Sequence, residues 1–470
     1  MSISYFFPSV FNDTLSKVLQ TTSSSRIKPH FIALSRATVI ATILLPCTAS
    51  ALDIKVSKTA DSFDGVCDSD CSLREAVALA NATPGSHKIR LPAGTYTLSI
   101  AAPIGEDYTV EDEDENRNGD LDIISDLTIA GAGAEETFID GLYQDRIFEI
   151  FANATVTIQA VTLTKGRHHF DGGSLRNLGK LKLKDVRLSN NVASYGFSQG
   201  RGGAIANYGE LSISTTEFIG NRADFGDTSY ALGGAIYNRG TLNIRDTAFR
   251  NNIANTDDWI GEGGAIYNAG IADIGRSLFL NNAAQGNGTA ITNAANAKLT
   301  LGNSTLSGNL GSEYPTAGTV SNFGEAILSH VTIADNIHSY GVENQGIINI
   351  QNSIIINNRD ELEINSYPLN CINSGASYQY KMRGLLIGKG FNNCTANIFW
   401  DDALALREIF YPLQANQSSL ETYALRRFSP ALDSAIGSCS NHDQRGVARP
   451  QDGDNDGVAQ CDLGAYERKW

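Results

Sequence analysis

From about residue 172 onward the chain alternates apolar and polar positions in short bursts, punctuated at regular intervals by glycine pairs and asparagines. Four segments align: GGSLRNLGKLKLKDVRLSNN from Gly172, GGAIANYGELSISTTEFIGN from Gly202, GGAIYNRGTLNIRDTAFRNN from Gly233 and GGAIYNAGIADIGRSLFLNN from Gly263. They share the template GGAIxNxGxLxIxxxxFxxN. Pairs such as Leu242-x-Ile244 carry the period of two that sends alternate side chains to one side of a strand. Gly-Gly and Asn-x-Gly mark the turns between strands. No long stretch shows a 3.6-residue period, which excludes helical repeats.

One asparagine recurs at Asn177, Asn207, Asn238, Asn268, Asn293, Asn322 and Asn344, a second at Asn191, Asn221, Asn252, Asn282, Asn309, Asn336 and Asn358. A single copy cannot bury its apolar side. Copies stacked ~4.8 Å apart pair each strand with its equivalent in the next coil and build one continuous core. Equivalent asparagines then lie above one another, where their amides can hydrogen-bond as a ladder. The pattern predicts an all-β fold, a right-handed parallel β-helix, with the asparagine columns structural rather than catalytic. Looser strands precede the repeats at Ile89–Tyr96, Leu127–Gly131 and Val156–Ile158.

An open stack needs caps at both ends. Ser72-Leu73-Arg74-Glu75 is a capping box, and Leu73, Ala76, Val77 and Ala80 form an apolar helical stripe. A short helix is predicted to plug the first coil. From about Asn392 the repeat is lost, and the remainder is expected to cover the last coil. The organisation expected is a leader at 1–51, the N-terminal cap and first strands at 52–100, β-helix coils at 101–391 and a C-terminal capping module at 392–470.

Composition sharpens this. Charged residues are 19% of the 470 and the formal net charge is −15, so phosphate backbones are repelled and nucleic-acid binding is disfavoured. The balance suits calcium, or a neutral or cationic partner. Arg26, Lys28 and Arg36 precede the apolar run 37–46, and Ala49-Ser50-Ala51 supplies a small-x-small cleavage pattern. Export is expected, with the long stretch before the run allowing a later start codon. The run is too short for a membrane anchor. Six cysteines remain beyond it, Cys67, Cys71, Cys371, Cys394, Cys439 and Cys461. An even number in an exported chain points to disulfides. Proximity favours Cys67–Cys71, Cys371–Cys394 and Cys439–Cys461 among the fifteen connectivities that six cysteines allow.

Several runs resemble family signatures. Cys71-Ser72-Leu73-Arg74-Glu75-Ala76 resembles the motif for which bacterial CSLREA-domain proteins are named. Ser429-Pro430-Ala431-Leu432-Asp433, Asp443-Gln444-Arg445-Gly446 and Cys461-Asp462-Leu463-Gly464-Ala465-Tyr466-Glu467 are similar to the choice-of-anchor module that often closes such proteins. The GGAI and FxxN tetrapeptides resemble those of chlamydial polymorphic outer membrane proteins. The resemblance implies a pectin-lyase-like β-helix, secreted or on the outer surface of a Gram-negative bacterium. It brings no shared catalytic residue. Asn416-Gln417-Ser418 departs from the usual Asn-Gly-Gly, and Tyr423 stands where histidine is common.

Two acidic loops are candidate calcium sites. Asp452, Asp454 and Asp456, followed by Gly457, place three carboxylates at alternate positions before a turn; Asp114, Asn116, Asn118 and Asp120 make a weaker version. The positions outward of the repeat's Leu and Ile read Lys182/Lys184, Ser212/Ser214, Asn243/Arg245, Asp273/Gly275 and Thr300/Gly302, with one carboxylate and no second beside it. Asn255-Thr256-Asp257-Asp258 resembles a polygalacturonase motif without its partner motifs, and His168-His169 reads as a surface turn. Inserts after the second asparagine carry Tyr195 and Phe197, then Asp224, Phe225, Asp227 and Tyr230, then Asp257, Asp258 and Trp259. Insertions at one register project from one side of a solenoid, and aromatics beside carboxylates suit sugar rings. The reading is an adhesin-like monomer that binds an extracellular glycan or protein, with a polysaccharide lyase or hydrolase and a structural envelope component as alternatives.

Overall fold

The computed structural model describes residues 51–103, 114–193, 200–224, 230–255, 261–312, 317–360, 368–376 and 378–470. Over these residues the chain is a parallel β-solenoid. The coil that begins at Gly233 shows how it is made. Strand Ile236–Asn238 turns at Gly240 into Thr241–Arg245, then into Ala248–Arg250 and Ile253–Ala254. Each strand pairs in parallel with its counterpart one repeat on: Asn238 with Asn268, Ile244 with Ile274, Phe249 with Phe279 and Ala254 with Ala284. The register is the one that the repeat template predicts.

Inward positions form the core. Leu211, Leu242 and Ala272 lie in register, as do Ile213, Ile244 and Ile274, and all are buried. The phenylalanine of each FxxN stacks on the next, with Phe218–Phe249 and Phe249–Phe279 centroids 4.8 Å apart and nearly parallel, which is the coil spacing itself.

The glycine pairs are steric requirements. Gly202 and Gly233 have φ of 68° and 73°, and a Cβ there would lie 1.9 and 2.0 Å from the carbonyl oxygen three residues on. The second glycine is crowded from the neighbouring coil: a Cβ on Gly234 would lie 2.1 Å from the Gly264 carbonyl oxygen.

Both asparagine columns are buried ladders. In the first, each Nδ2 donates to the Oδ1 one coil on, from Asn177 through Asn207, Asn238, Asn268, Asn293, Asn322 and Asn344 to Asn373. In the second, Asn191, Asn221, Asn252, Asn282, Asn309, Asn336 and Asn358 do the same and continue to Asn370.

The N-terminal cap is helix α1 (Leu73–Ala82), with its capping box formed between Ser72 and Glu75. Leu73, Ala76, Val77 and Ala80 are buried as the stripe predicts, and so is Arg74. Its guanidinium pairs with Asp61 at 2.9 Å and donates to the carbonyls of Asn118, Gly119 and Asp120. The three expected disulfides are present, Cys67–Cys71, Cys371–Cys394 and Cys439–Cys461.

The C-terminal module runs back along the flank of the solenoid. Gln444 accepts from Thr305, Tyr423 bonds Ser307, Ala465 N–H donates to Thr332, and Leu420 packs on Ala248 and Leu278. Thr305, Ser307 and Thr332, outward on those strands, provide docking bonds, and Arg250 adds an ion pair to Glu421. Among the described residues no helix is long and apolar enough to cross a membrane.

Candidate functional site

The eleven-stranded sheet that carries the first asparagine ladder has an outward column one residue before each asparagine. It reads Glu149, Arg176, Ala206, Tyr237, Tyr267, Thr292, Ser321 and Glu343 in pairing register. A second column stands just before each glycine pair: Asp171, Arg201, Leu232 and Glu262 are in register with one another. The positive-φ glycine between the columns folds the chain back, so both column sets line one corner.

Their side chains meet there. Tyr208, directly after the ladder asparagine, donates its hydroxyl to Asp171 at 2.6 Å. The Arg201 guanidinium lies 3.7 Å from the same carboxylate and 5.7 Å from the centroid of the Tyr237 ring. Tyr237 and Tyr267 stack 5.8 Å apart with 9° between planes. Rings that cover one another's faces present edges and hydroxyls outward. One coil on, Asn287 donates to Glu262 at 2.9 Å, and Thr292 donates to the Asn287 carbonyl. At the far end Ser321 and Gln345 donate to the two oxygens of Glu343. From Arg176 to Glu343 the corner spans six coil steps, about 29 Å.

Burial pushes the Tyr208 hydroxyl well above the usual phenol range, reinforced by Asp171, and pushes Tyr267 up to about 12, reinforced by Glu262. Both phenols are therefore donors at neutral pH. Burial also raises the Glu262 carboxyl; Asn287 opposes the shift and the Glu343 carboxylate adds to it. The partly exposed members of the corner, from Asp171 and Arg176 to Glu262 and Asn287, thus offer phenol, guanidinium and amide donors interleaved with carboxylate acceptors, whereas Thr292, Ser321 and Glu343 are buried.

The expected site residues fare unevenly. Tyr195, Phe197, Phe225, Asp227, Asp257, Asp258 and Trp259 lie outside the described residues. Asp224 pairs with Arg222 at 2.7 Å, and Tyr230 is exposed immediately before strand Ala231–Leu232, on the edge of the corner. Asp273, the one carboxylate among the positions after the repeat's Leu and Ile, is paired with Arg245. His168 is half-buried rather than a free surface turn. Burial, then Arg146, holds its imidazole well below the usual range, and its Nδ1 accepts from the Phe170 and Asp171 amides.

Of the two acidic loops, the first is joined by a carboxylate that the sequence did not reveal. Carboxylate oxygens of Asp433, Asp452 and Asp454 lie within 4.8 Å of one another. Asp456 stands outside that trio and accepts from the Val458 amide. Burial raises the Asp433 carboxyl, and the neighbouring Asp454 adds to the shift. The second loop is organised by the protein itself. Asn116 closes on the backbone of Asp122, Arg74 takes the carbonyls of Asn118 to Asp120, and Asp120 pairs with Arg146 at 2.7 Å. Asp120 groups with Asp122 and Glu149 rather than with Asp114, and Arg146 and Arg176 both pair with Glu149.

The corner is not among the sites expected from the inserts. Its signal was present in the residue before each ladder asparagine, Tyr237 and Tyr267, and in the residue before each glycine pair, Asp171, Arg201 and Glu262.

No protein-family model matches the chain, and no curated protein sequence matches it. Solved structures with a similar fold include the pectate lyase Pel9A, at 12% identity, covering 90% of this chain and 97% of that one, with a TM-score of 0.41. The PL6 family alginate lyase AlyGC matches at 11% identity over 85% of this chain and 58% of that one, TM-score 0.36. The A-module of the Azotobacter vinelandii mannuronan C-5 epimerase AlgE4 matches at 13% over 74% and 99%, TM-score 0.31. The likeness is one of fold alone.

Proposed function

We propose that this chain is an exported, adhesin-like protein that seats a glycan in the corner between Asp171 and Glu262. The observation that carries the reading is the Asp171–Tyr208–Arg201–Tyr237 cluster. Its groups hold one another in fixed geometry, and donors and acceptors then recur along the coils at the spacing of the solenoid. Rigid arrays of this kind favour polyhydroxyl ligands, because little side-chain freedom is lost on binding. The test is a polysaccharide panel with the full chain, scored for retention and for new reducing or unsaturated ends. Retention without cleavage, reduced about tenfold by Tyr267→Phe with Arg201→Gln, supports the reading. Retention unchanged in that double variant removes the corner from the account.

A second reading, cleavage of the glycan, is favoured by one observation. Glu262 is a carboxyl with raised proton affinity beside Tyr267, the property a proton donor requires. New chain ends in the panel, lost in Glu262→Gln, would replace the binding reading with this one.

Calcium is proposed at Asp433, Asp452 and Asp454, an all-oxygen, hard-donor set. It would neutralise carboxylates that otherwise repel one another.

A further inference from the structure

The surface of the C-terminal module carries a patch unlike the rest of this acidic protein. Phe428 is 87% exposed, Trp470 50%, Leu406 41% and Tyr411 40%. They lie together. The Arg427 guanidinium sits 5.3 Å from the Phe428 ring centroid and 4.4 Å from that of Trp470, and the Arg426 guanidinium sits 4.3 Å over Tyr411. Arg426 also donates to the Leu406 carbonyl, and Arg468 donates to the Leu425 carbonyl, which ties segments 406–411, 425–428 and 468–470 into one surface. Those segments contain Arg407, Arg426, Arg427, Arg468 and Lys469 against the single carboxylate side chain of Glu408.

We infer that this patch docks the protein onto an anionic lipid bilayer, with Phe428, Trp470 and Tyr411 entering the headgroup boundary and the surrounding cations pairing with lipid phosphates. Three features select a bilayer. The apolar groups are separate tips, each with a cation at its side, which is the chemistry of the membrane interface, where aromatic rings sit at headgroup depth and guanidinium groups meet phosphate. Phe428 protrudes almost wholly into solvent, the shape of a wedge. Finally, the formal charge of the whole chain is −15, so an anionic surface repels most of the molecule and attracts this end, which fixes the orientation as well as the contact. The inference is independent of the proposed glycan site, whose residues lie on other strands.

The test is co-sedimentation of the full chain with vesicles of phosphatidylglycerol and phosphatidylcholine mixed, and of phosphatidylcholine alone, at low and high salt. The expected result is salt-sensitive binding to the anionic vesicles only. Arg427→Glu and Lys469→Glu should each weaken it at least about fivefold, the worth of one cation at such a surface. Phe428→Ser with Trp470→Ser should abolish it without changing the melting temperature, since these side chains are exposed. A wild-type chain that stays in the supernatant with anionic vesicles overturns the inference. So does binding that survives all these substitutions. Concentration-dependent self-association lost in the Phe428→Ser, Trp470→Ser variant would reassign the patch to a contact between copies of this chain.

Discussion

The side-chain amide of Asn370 donates to the carboxylate of Asp402 at 2.8 Å, and there the second asparagine ladder ends. The same carboxylate accepts the Asn357 and Gly390 backbone N–H groups. A ladder in which every amide donates in one direction needs an acceptor beyond its last rung. Asp402→Ala leaves several buried donors without a partner and should cost about 2–3 kcal/mol; Asp402→Asn, which keeps an acceptor oxygen, should cost less. Urea unfolding monitored by circular dichroism separates the two. Equal costs would show that the acceptor is immaterial.

The two kinds of glycine contact predict opposite outcomes for one added methyl. Gly234→Ala forces a Cβ to within 2.1 Å of the Gly264 carbonyl oxygen, backbone that cannot yield without breaking coil pairing. A loss of at least about 3 kcal/mol and of cooperative melting is expected. Gly275→Ala meets only the Arg245 side chain, at 3.4 Å, and should change stability by less than about 1 kcal/mol. Thermal melts of both variants check the contrast.

Docking of the C-terminal module sets a pH dependence. Burial, then the nearby Glu467 carboxylate, raises Asp462 from 3.8 to about 8, with Asp433 adding; the Arg468 and Asp433 amides oppose the shift. Beneath the module, burial and then Arg449 depress His330 from 6.5 to about 3. Between about pH 3.8 and 6.5 the folded state holds a proton on Asp462 that the unfolded chain has released, while the unfolded chain holds one on His330 that the folded state refuses. The two slopes oppose each other. Above 6.5 only the Asp462 slope remains, so stability should fall by about 2 kcal/mol between pH 6.5 and 8. Asp462→Asn should flatten that limb. A wild-type profile that rises over the same interval would contradict the assignment.

Calcium should raise the melting temperature of chelator-treated protein, by an amount equivalent to about 2.7 kcal/mol at a concentration one hundred times the dissociation constant. Asp452→Asn and Asp433→Asn should each remove the response, and Asp114→Ala should leave it intact. Calorimetry on the stripped protein reads binding directly; no heat would exclude the site.

The solenoid was legible because its physics is local and repeated. Gly172, Asn177 and Asn191 each recur at the next coil, and a recurring residue type in a recurring steric setting reveals stacking without any long-range information. Helix α1 was legible from Ser72 and Glu75 for the same reason. What the sequence concealed are contacts between segments unrelated by the repeat. Nothing near Arg74 indicates that its guanidinium closes the Asn118–Asp120 loop, and nothing near Asp452 indicates that Asp433 joins it. Threonine at 305 and 332 reads as an ordinary outward strand residue until the returning module supplies Gln444 and Ala465 as partners. The corner was half legible: Tyr237 and Tyr267 recur visibly, whereas their meeting with Asp171 and Arg201 depends on the fold-back at the glycine pair.

The one-way ladders carry an evolutionary corollary. Every interior rung offers its neighbours the same interface, an amide donor on one side and a carbonyl acceptor on the other, so a duplicated coil slots between two existing ones with no orphaned group. Coils N-terminal to those that dock the C-terminal module are thus interchangeable modules, and there the protein can lengthen or shorten by whole repeats at little thermodynamic penalty. The termini lack that freedom. Arg74 with its three carbonyls at one end and Asp402 with its three donors at the other each fit a single partner surface. Length variation among relatives should therefore fall between these two residues and spare both.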